Sequence, residues 1–339
     1  MLKKNLATVF CLLLLVFMPT FAEPVVGGNY CFRLTHPDLL TGAASSAGGA
    51  FFSAIPASIA VNPSLTASEQ RIVLNLGYTV LFEPVENLSM GGAGQIALLV
   101  PSRWGVFTGV VEGVFCDVGK LNLKNSIGLR AGFSKDINEK LYAGVALNGG
   151  ARWADDTQWS LGFNLGFMYK WGDLAFLRDV RIGGAVTNLG KPYENGFPAI
   201  GSPRVGLAGT MFTVADDRVS CGFSLDVCAP QFMNVVLDAG LQIELADVVV
   251  VKTAWQFDMR DTLDKNYNLI PSVGITVRFG INTKGNQFMA EKGWQQSEVI
   301  TSAAWQKLYG TTHAVSAAAA INLGLKDTAA PEIILWGEN

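Results

Sequence analysis

Ionisable chemistry is what this chain holds least of. It has two histidines, His36 and His313, in 339 residues, and only 16% of its residues are charged. A nucleophilic site needs a base within hydrogen-bond reach of its Ser or Cys, and a zinc site needs His and Cys ligands at close spacing. Two isolated histidines and no Cys-x-x-Cys pair supply neither, so no catalytic residue, metal or cofactor is assigned and the chain does not read as an enzyme. Two acidic pairs, Asp155-Asp156 and Asp216-Asp217, sit between strand patterns and read as solvated turn residues rather than calcium ligands. A basic excess is missing too. With 25 Lys and Arg against 28 Asp and Glu, the formal charge is -3, which leaves nothing to neutralise a nucleic-acid backbone. Beyond the N-terminus there is no apolar run long enough for a spanning helix. Even Ala246–Ala254 contains Asp247 and Lys252. Cysteine is sparse: Cys31, Cys116, Cys221 and Cys228 follow the leader. Cys221 and Cys228 have opposite parity in one strand pattern and cannot meet within it, so free apolar thiols are expected.

What is abundant is glycine and apolar residues. Glycine reaches 37 residues, half of the chain is hydrophobic and mean hydropathy is +0.30. Disorder is excluded, because a disordered chain is poor in apolar residues. High glycine with ordinary proline fits many closely packed, bending strands. Lys3 and Lys4, the apolar stretch Leu6 to Met18, Pro19 and Thr20-Phe21-Ala22 form an export signal, with cleavage expected after Ala22.

Alternation identifies the architecture. In Trp159–Trp171, the residues Trp159, Leu161, Phe163, Leu165, Phe167, Tyr169 and Trp171 share one parity. Ser160, Gly162, Asn164, Gly166, Met168 and Lys170 share the other. Period 2 puts these sets on opposite faces of a strand, and aromatic residues at both ends match two membrane interfaces. Ser126–Ser134, Arg218–Cys228 and Ser272–Asn282 repeat the pattern, and ten further stretches follow it less strictly. About 14 strands result, each near the ~9–11 residues that a tilted membrane strand requires. The connections alternate between tight ones, such as Pro101-Ser102 and Lys135–Asn138, and longer ones: Cys116–Leu123, Trp153–Gln158, Asn188–Ser202 and Arg260–Leu269. Thr283–Ser297 breaks that alternation by being long where a short turn is due. The fold class is therefore all-β: a transmembrane antiparallel β-barrel over residues 70–325. It follows a signal peptide (1–22) and a 23–69 segment, and a 326–339 tail ends the chain. Charges sharing parity with Gly, Ser and Asn, namely Arg130, Arg152, Lys170, Arg181, Arg204, Arg218, Asp226, Asp238, Lys252, Asp258 and Arg278, are expected to face the lumen. Facing lipid, each would cost a few kcal/mol.

Thr41–Thr66 lacks the strand period and is rich in small residues. Phe51, Ile55 and Ile59 recur at i, i+4 and i+8, the spacing of one helical face, although Pro56 interrupts it. Asn62-Pro63 then marks a turn. A segment of this kind folding inside the lumen explains its length and its composition. Phe51, Phe52, Ile55, Ile59, Asn62 and Pro63 are the candidates for ligand contact or plug packing.

Ala47-Gly48-Gly49-Ala50-Phe51 followed by Ala60-Val61-Asn62-Pro63 resembles the start of the FadL-type long-chain fatty-acid transporter family, and within it the treponemal FadL-like outer-membrane proteins. Ser64 stands where that family usually has Ala, and the best-known members have longer external loops. The resemblance implies a 14-stranded barrel with an N-terminal hatch in the cell outer membrane. It also implies transport of small hydrophobic molecules such as fatty acids, contact with outer-membrane lipid, and assembly by the barrel-assembly machinery. Related barrels also serve protein secretion, so docking of secreted proteins is the alternative function, and a general porin is the third.

Overall fold

The computed structural model describes residues 28–41, 45–52, 54–84, 89–118, 121–153, 156–194, 201–214, 218–263, 270–281, 296–308 and 311–324. The signal peptide, the 326–339 tail, Asp155 and the Asp216-Asp217 pair lie outside them.

Fourteen strands form one closed antiparallel barrel. They are β1 (Ile72–Glu83), β2 (Ser89–Ser102), β3 (Gly105–Val118), β4 (Leu121–Asp136), β5 (Leu141–Trp153), β6 (Thr157–Leu174), β7 (Leu177–Lys191), β8 (Ser202–Val214), β9 (Val219–Cys228), β10 (Val236–Leu245), β11 (Val249–Asp258), β12 (Ser272–Gly280), β13 (Glu298–Lys307) and β14 (His313–Leu323). Each strand pairs with its sequence neighbour, and β1 closes the ring on β14 in a register running from Ile72↔Leu323 to Phe82↔His313. Closure leaves no edge strand with unpaired backbone groups, which is what a hydrocarbon solvent demands.

The alternation read in the sequence is the wall itself. All seven residues of the Trp159–Trp171 apolar set are exposed on the outer face. So are Leu74, Leu76, Ile96, Leu98, Leu129, Leu225, Val273 and Ile275 on other strands. An apolar girdle of this extent needs lipid around it. The opposite parity is buried and polar, with Asn75, Thr79, Gln95, Thr108, Ser134, Asn164, Ser224, Thr276 and Ser302 pointing inward. Arg130, Arg152, Arg181, Arg204, Asp226, Asp238 and Lys252 are buried on the same side, as their parity required. Arg218 is the exception: it precedes β9 in an exposed turn.

Connections on one rim are short apart from residues 281–297, so the exception noted in the sequence is real and leaves the strand count intact. On the other rim two connections are shorter than expected. The pairing of β3 with β4 continues through a register shift at Cys116/Asp117 as far as Val118↔Leu121, and β6 starts four residues after the end of β5. Local pairing through a bulge replaced the expected Cys116–Leu123 loop. Cys116, Cys221 and Cys228 are free and buried.

Candidate functional site

The residues before β1 form short helical turns rather than strands. A 3-10 helix covers Gly28–Thr35, a single α-helical turn, α1, covers Pro37–Leu40, and further 3-10 helices cover Pro56–Ala60 and Pro63–Ser68. Prolines at 37, 56 and 63 each start a turn, where a missing N–H costs nothing, and they prevent any longer helix. The helical face expected for Phe51, Ile55 and Ile59 therefore does not form. Phe51 lies in a turn ahead of the 3-10 helix that contains Ile59. Ile55 packs with Phe32, Leu39, Ala57, Ala60 and Val61, whereas Ile59 packs with Ala97, Val110 and Ala146 of the wall. The three do not line one pocket.

Asn62 and Pro63 form a seat. Asn62 is fully buried, and its Oδ1 accepts from the Ser64 N–H at 3.0 Å and from Ser64 Oγ at 2.8 Å. Its Nδ2 donates to Ser46 O at 2.7 Å and to the β6 carbonyl of Phe167 at 2.9 Å. One side chain thus caps a turn, ties two parts of the segment together and anchors both to the wall. The wall is flattened to receive it. A Cβ at Gly166 would lie 2.0 Å from Asn62 Oδ1, and one at Gly144 would lie 2.5 Å from the Pro63 backbone. Nearby, Asn164 Nδ2 donates to Ile59 O at 3.1 Å, Thr66 meets Ser134 at 2.8 Å, and Arg181 Nη2 donates to Gly49 O and Ala50 O at 3.1 and 2.7 Å.

Charge fastens the other side. Arg33 makes a two-pronged pair with Asp238 of β10, with Nη1 to Oδ1 at 3.0 Å. The guanidinium groups of Arg33 and Arg204 both approach the Phe32 ring, at 6.0 and 5.7 Å from its centre. The Ser46 N–H donates to Asp226 Oδ2 at 2.8 Å, and Lys252 of β11 holds Asp38 at 2.8 Å. Sequence reading placed Asp226, Asp238 and Lys252 in the lumen but missed their partners Arg33 and Asp38. No local signal marks a partner about 200 residues away.

His36 is the second residue the sequence undervalued. It is fully buried, accepts from the Asp38 N–H at 3.1 Å through Nδ1, and meets Asn75 through Nε2 at 3.1 Å. Burial lowers its pKa from 6.5 to about 4, with Lys252 adding to the effect and Asp38 opposing it. For Asp38, burial works against ionisation, but Lys252 and then His36 outweigh it and hold the carboxyl below its usual pKa. The sign for His36 follows. Above pH 6.5 the imidazole is neutral whether the segment is docked or free. As pH falls towards 4, only the free segment takes up the proton, so docking weakens by up to about 3 kcal/mol. Docked, Asp38 keeps its charge to lower pH than a free carboxyl, because Lys252 and His36 lower its pKa. Bilayer conductance should therefore be lowest at pH 7 and rise by pH 4.5, and His36→Gln should flatten that rise. A wild-type trace independent of pH over this range would contradict the assignment.

Among the described residues, two cavities border the segment. One, between His36, Asp38, Phe51, Ile55 and strands β1 and β10–β14, has a volume of about 40 Å³, room for a few waters and not for a hydrocarbon. The second is a vestibule of about 610 Å³ at the short-turn rim, lined by Phe51, Phe52, Tyr142, Lys170, Arg71, Arg278 and several acids. Of the sequence candidates, Phe51 reaches both cavities, Phe52 only the vestibule and Ile55 only the small cleft.

No protein-family model matches the sequence, and no curated protein matches it. Solved structures do match in shape. A TodX deltaS2S3 mutant monoaromatic hydrocarbon channel superposes with a TM-score of 0.51 at 11% identity, over 84% of this chain and 98% of that one. A deltaS2 mutant of the same channel gives 0.51 at 10% identity, over 87% and 100%. A Pseudomonas aeruginosa FadL homologue gives 0.45 at 12% identity, over 84% and 97%. The expectation drawn from the N-terminal residues is met at the level of the fold: this chain has the barrel fold of the FadL-type hydrocarbon channels.

Proposed function

We propose that the protein is a plugged outer-membrane channel for small hydrophobic molecules, with long-chain fatty acids as the class that the N-terminal resemblance implies. The observation that carries this reading is the seating of the 28–69 segment. Its turns bond to β4, β6, β7, β9, β10 and β11 and, among the described residues, leave a narrow internal cleft on the β10–β14 side. A general porin keeps a water-filled lumen, so this filling argues for a gated path. The cleft is too small for any hydrocarbon, so passage requires the segment to shift. The fold shared with monoaromatic hydrocarbon channels supports the same class of cargo. The route requires no covalent step. Its parts are a seat (Asn62, Pro63), tethers (Arg33, Asp38, Ser46) and apolar side chains at the moving face (Phe51, Phe52).

The test is uptake. Proteoliposomes carrying the mature protein should take up labelled oleate or toluene several-fold faster than empty vesicles, while sucrose leaks no faster. Equal rates for all three, or for vesicles with and without protein, would overturn the reading. Asn62→Ala should raise sucrose leakage. It removes two donors to buried carbonyls, each bond worth about 1 kcal/mol and each orphaned group about 1–3 kcal/mol.

A further inference from the structure

Three neighbouring strands change character partway along the lumen. On β1, Val73 and Asn75 line the narrow cleft and Leu81 does not. On β13, Ile300 and Ser302 line it and Ala304 does not. On β14, Asn322, Ala320 and Ala318 line it and Ala314 does not. These residues share the inward parity of their strands, and the register sets Leu81 opposite Ala314 and Ala304 opposite Ser316. The change therefore falls at one level of the ring, towards the long-loop rim. Leu81, Ala304 and Ala314 belong to a buried apolar cluster with Ala93, Val114 and Leu121, and two residues of the segment, Leu34 and Leu40, complete it. At its edge Thr79 donates to Ser316 Oγ at 2.7 Å, and Ser316 Oγ donates to Tyr78 O at 3.4 Å, which leaves neither hydroxyl proton for water. On the β10–β11 side, Arg33 on Asp238 and Lys252 on Asp38 hold the same part of the segment. Leu39 of α1 packs away from the cluster, with Phe32 and Ile55. On the short-turn side of this level the cleft is polar, with His36, Asn75, Lys252, Thr276 and Ser302 in its walls. It shares Phe51, Ala54 and Arg278 with the vestibule, so it continues towards the short-turn rim.

We propose that Leu34 and Leu40 determine what the closed channel refuses. With the wall they form an apolar collar near the long-loop end that stops ions and sugars, while the cleft beneath it is wet from the short-turn rim and ends blind. A polar solute needs a hydrated path, and a narrow apolar constriction sheds water. An apolar solute loses nothing on entering an apolar layer, so the same collar does not refuse it. On β13 the collar is one inward side chain deep, with Ser302 before Ala304 and Gln306 after it, so one polar substitution is enough to wet it. Undocking of the segment withdraws both leucines together. The selectivity rests on the proposed transport of hydrophobic molecules, but the ion seal stands without it.

The experiment places one thiol on each side of the boundary in the full-length mature protein, Ser302→Cys or Ala304→Cys. Silver ion in chloride-free buffer is the probe, because it is small enough for a cleft that holds a few waters. Thiols it has not reached are alkylated after denaturation and identified by peptide mass. The Ser302→Cys thiol should be reached and the Ala304→Cys thiol should not. Leu40→Ser should expose the Ala304→Cys thiol and raise open probability in planar bilayers by about ten- to a hundredfold, the worth of one leucine's apolar burial. Leu40→Met should stay closed. Leu39→Ser, on the same turn but outside the collar, should raise the current far less. Gel mobility without boiling checks that each variant keeps its barrel. Two thiols reached alike, or both missed, overturn the collar. So does a folded Leu40→Ser protein that stays closed. A Leu39→Ser protein as conductive as Leu40→Ser also overturns it, because docking of the turn rather than Leu40 would then make the seal. Toluene uptake is a separate readout: its failure counts against the transport reading, and these ion and thiol measurements count only against the collar.

Discussion

Deleting residues 28–69 should turn a silent barrel into a steadily conducting one. The ring of strands does not need the segment for its backbone bonds, because every strand pairs with two neighbours and β1 closes on β14. Pairs within the wall survive the deletion: Arg130 with Glu112, Arg204 with Asp226, and Arg278 with Glu244. Asp238 and Lys252 lose their tethers, but the emptied lumen fills with water that solvates them, so the penalty of an unpaired buried charge does not arise. The inward apolar residues that the segment covers, among them Val110, Ala146 and Met168, become wetted at about 25 cal/mol per Å². The thermal midpoint should fall, while the band that migrates faster without boiling should persist. Planar bilayers give the decisive measurement, with few openings for the whole protein and sustained ion current for the deletion. Equal currents would place the closure elsewhere, in the rim loops.

The barrel was legible because a membrane wall obeys a strict two-residue rule. Lipid outside and packed polar groups inside leave little freedom, so Trp159 to Trp171 announces its faces without any knowledge of neighbours. Fourteen patterns in the sequence correspond to fourteen strands. The segment before β1 was legible in its non-strand character and in the turn at Asn62-Pro63, but not in its local shape. The i, i+4, i+8 spacing of Phe51, Ile55 and Ile59 suggested a helix that the prolines dissolve into separate turns. The tethers were illegible for another reason. Arg33 with Asp238 and Asp38 with Lys252 each join residues more than 200 positions apart, and no periodicity links them. His36 looked like a lone histidine before the first strand, and only the packed lumen makes it a buried, neutral one.

Gly183→Ala should open the channel with every residue of the segment still present. Gly183 faces inward on β7, beside Met168 of β6 and Gly206 of β8. A Cβ there would lie 1.8 Å from Ser46 O and 2.3 Å from its carbon, both backbone atoms that no rotamer change can clear. The Ser46 peptide must move off the wall by about an ångström or more before the contact is tolerable. The Ser46 backbone carries two of the bonds that seat the segment: its N–H donates to Asp226, and its carbonyl accepts from Asn62. Breaking both, with Asp226 left short of a donor in a buried site, costs about 3 kcal/mol, or about a hundredfold in the ratio of docked to free segment. The barrel itself should be untouched, because alanine suits an inner wall and the strand bonds are unchanged. Gly109→Ala is the control. It is also a wall glycine, but a Cβ there meets nothing within 4 Å, and it should conduct like the wild type. The measurement is open probability in planar bilayers, beside gel mobility as the check on folding. A Gly183→Ala protein as silent as Gly109→Ala would mean that Ser46 does not sit on the wall and that the seat at Asn62 holds without it.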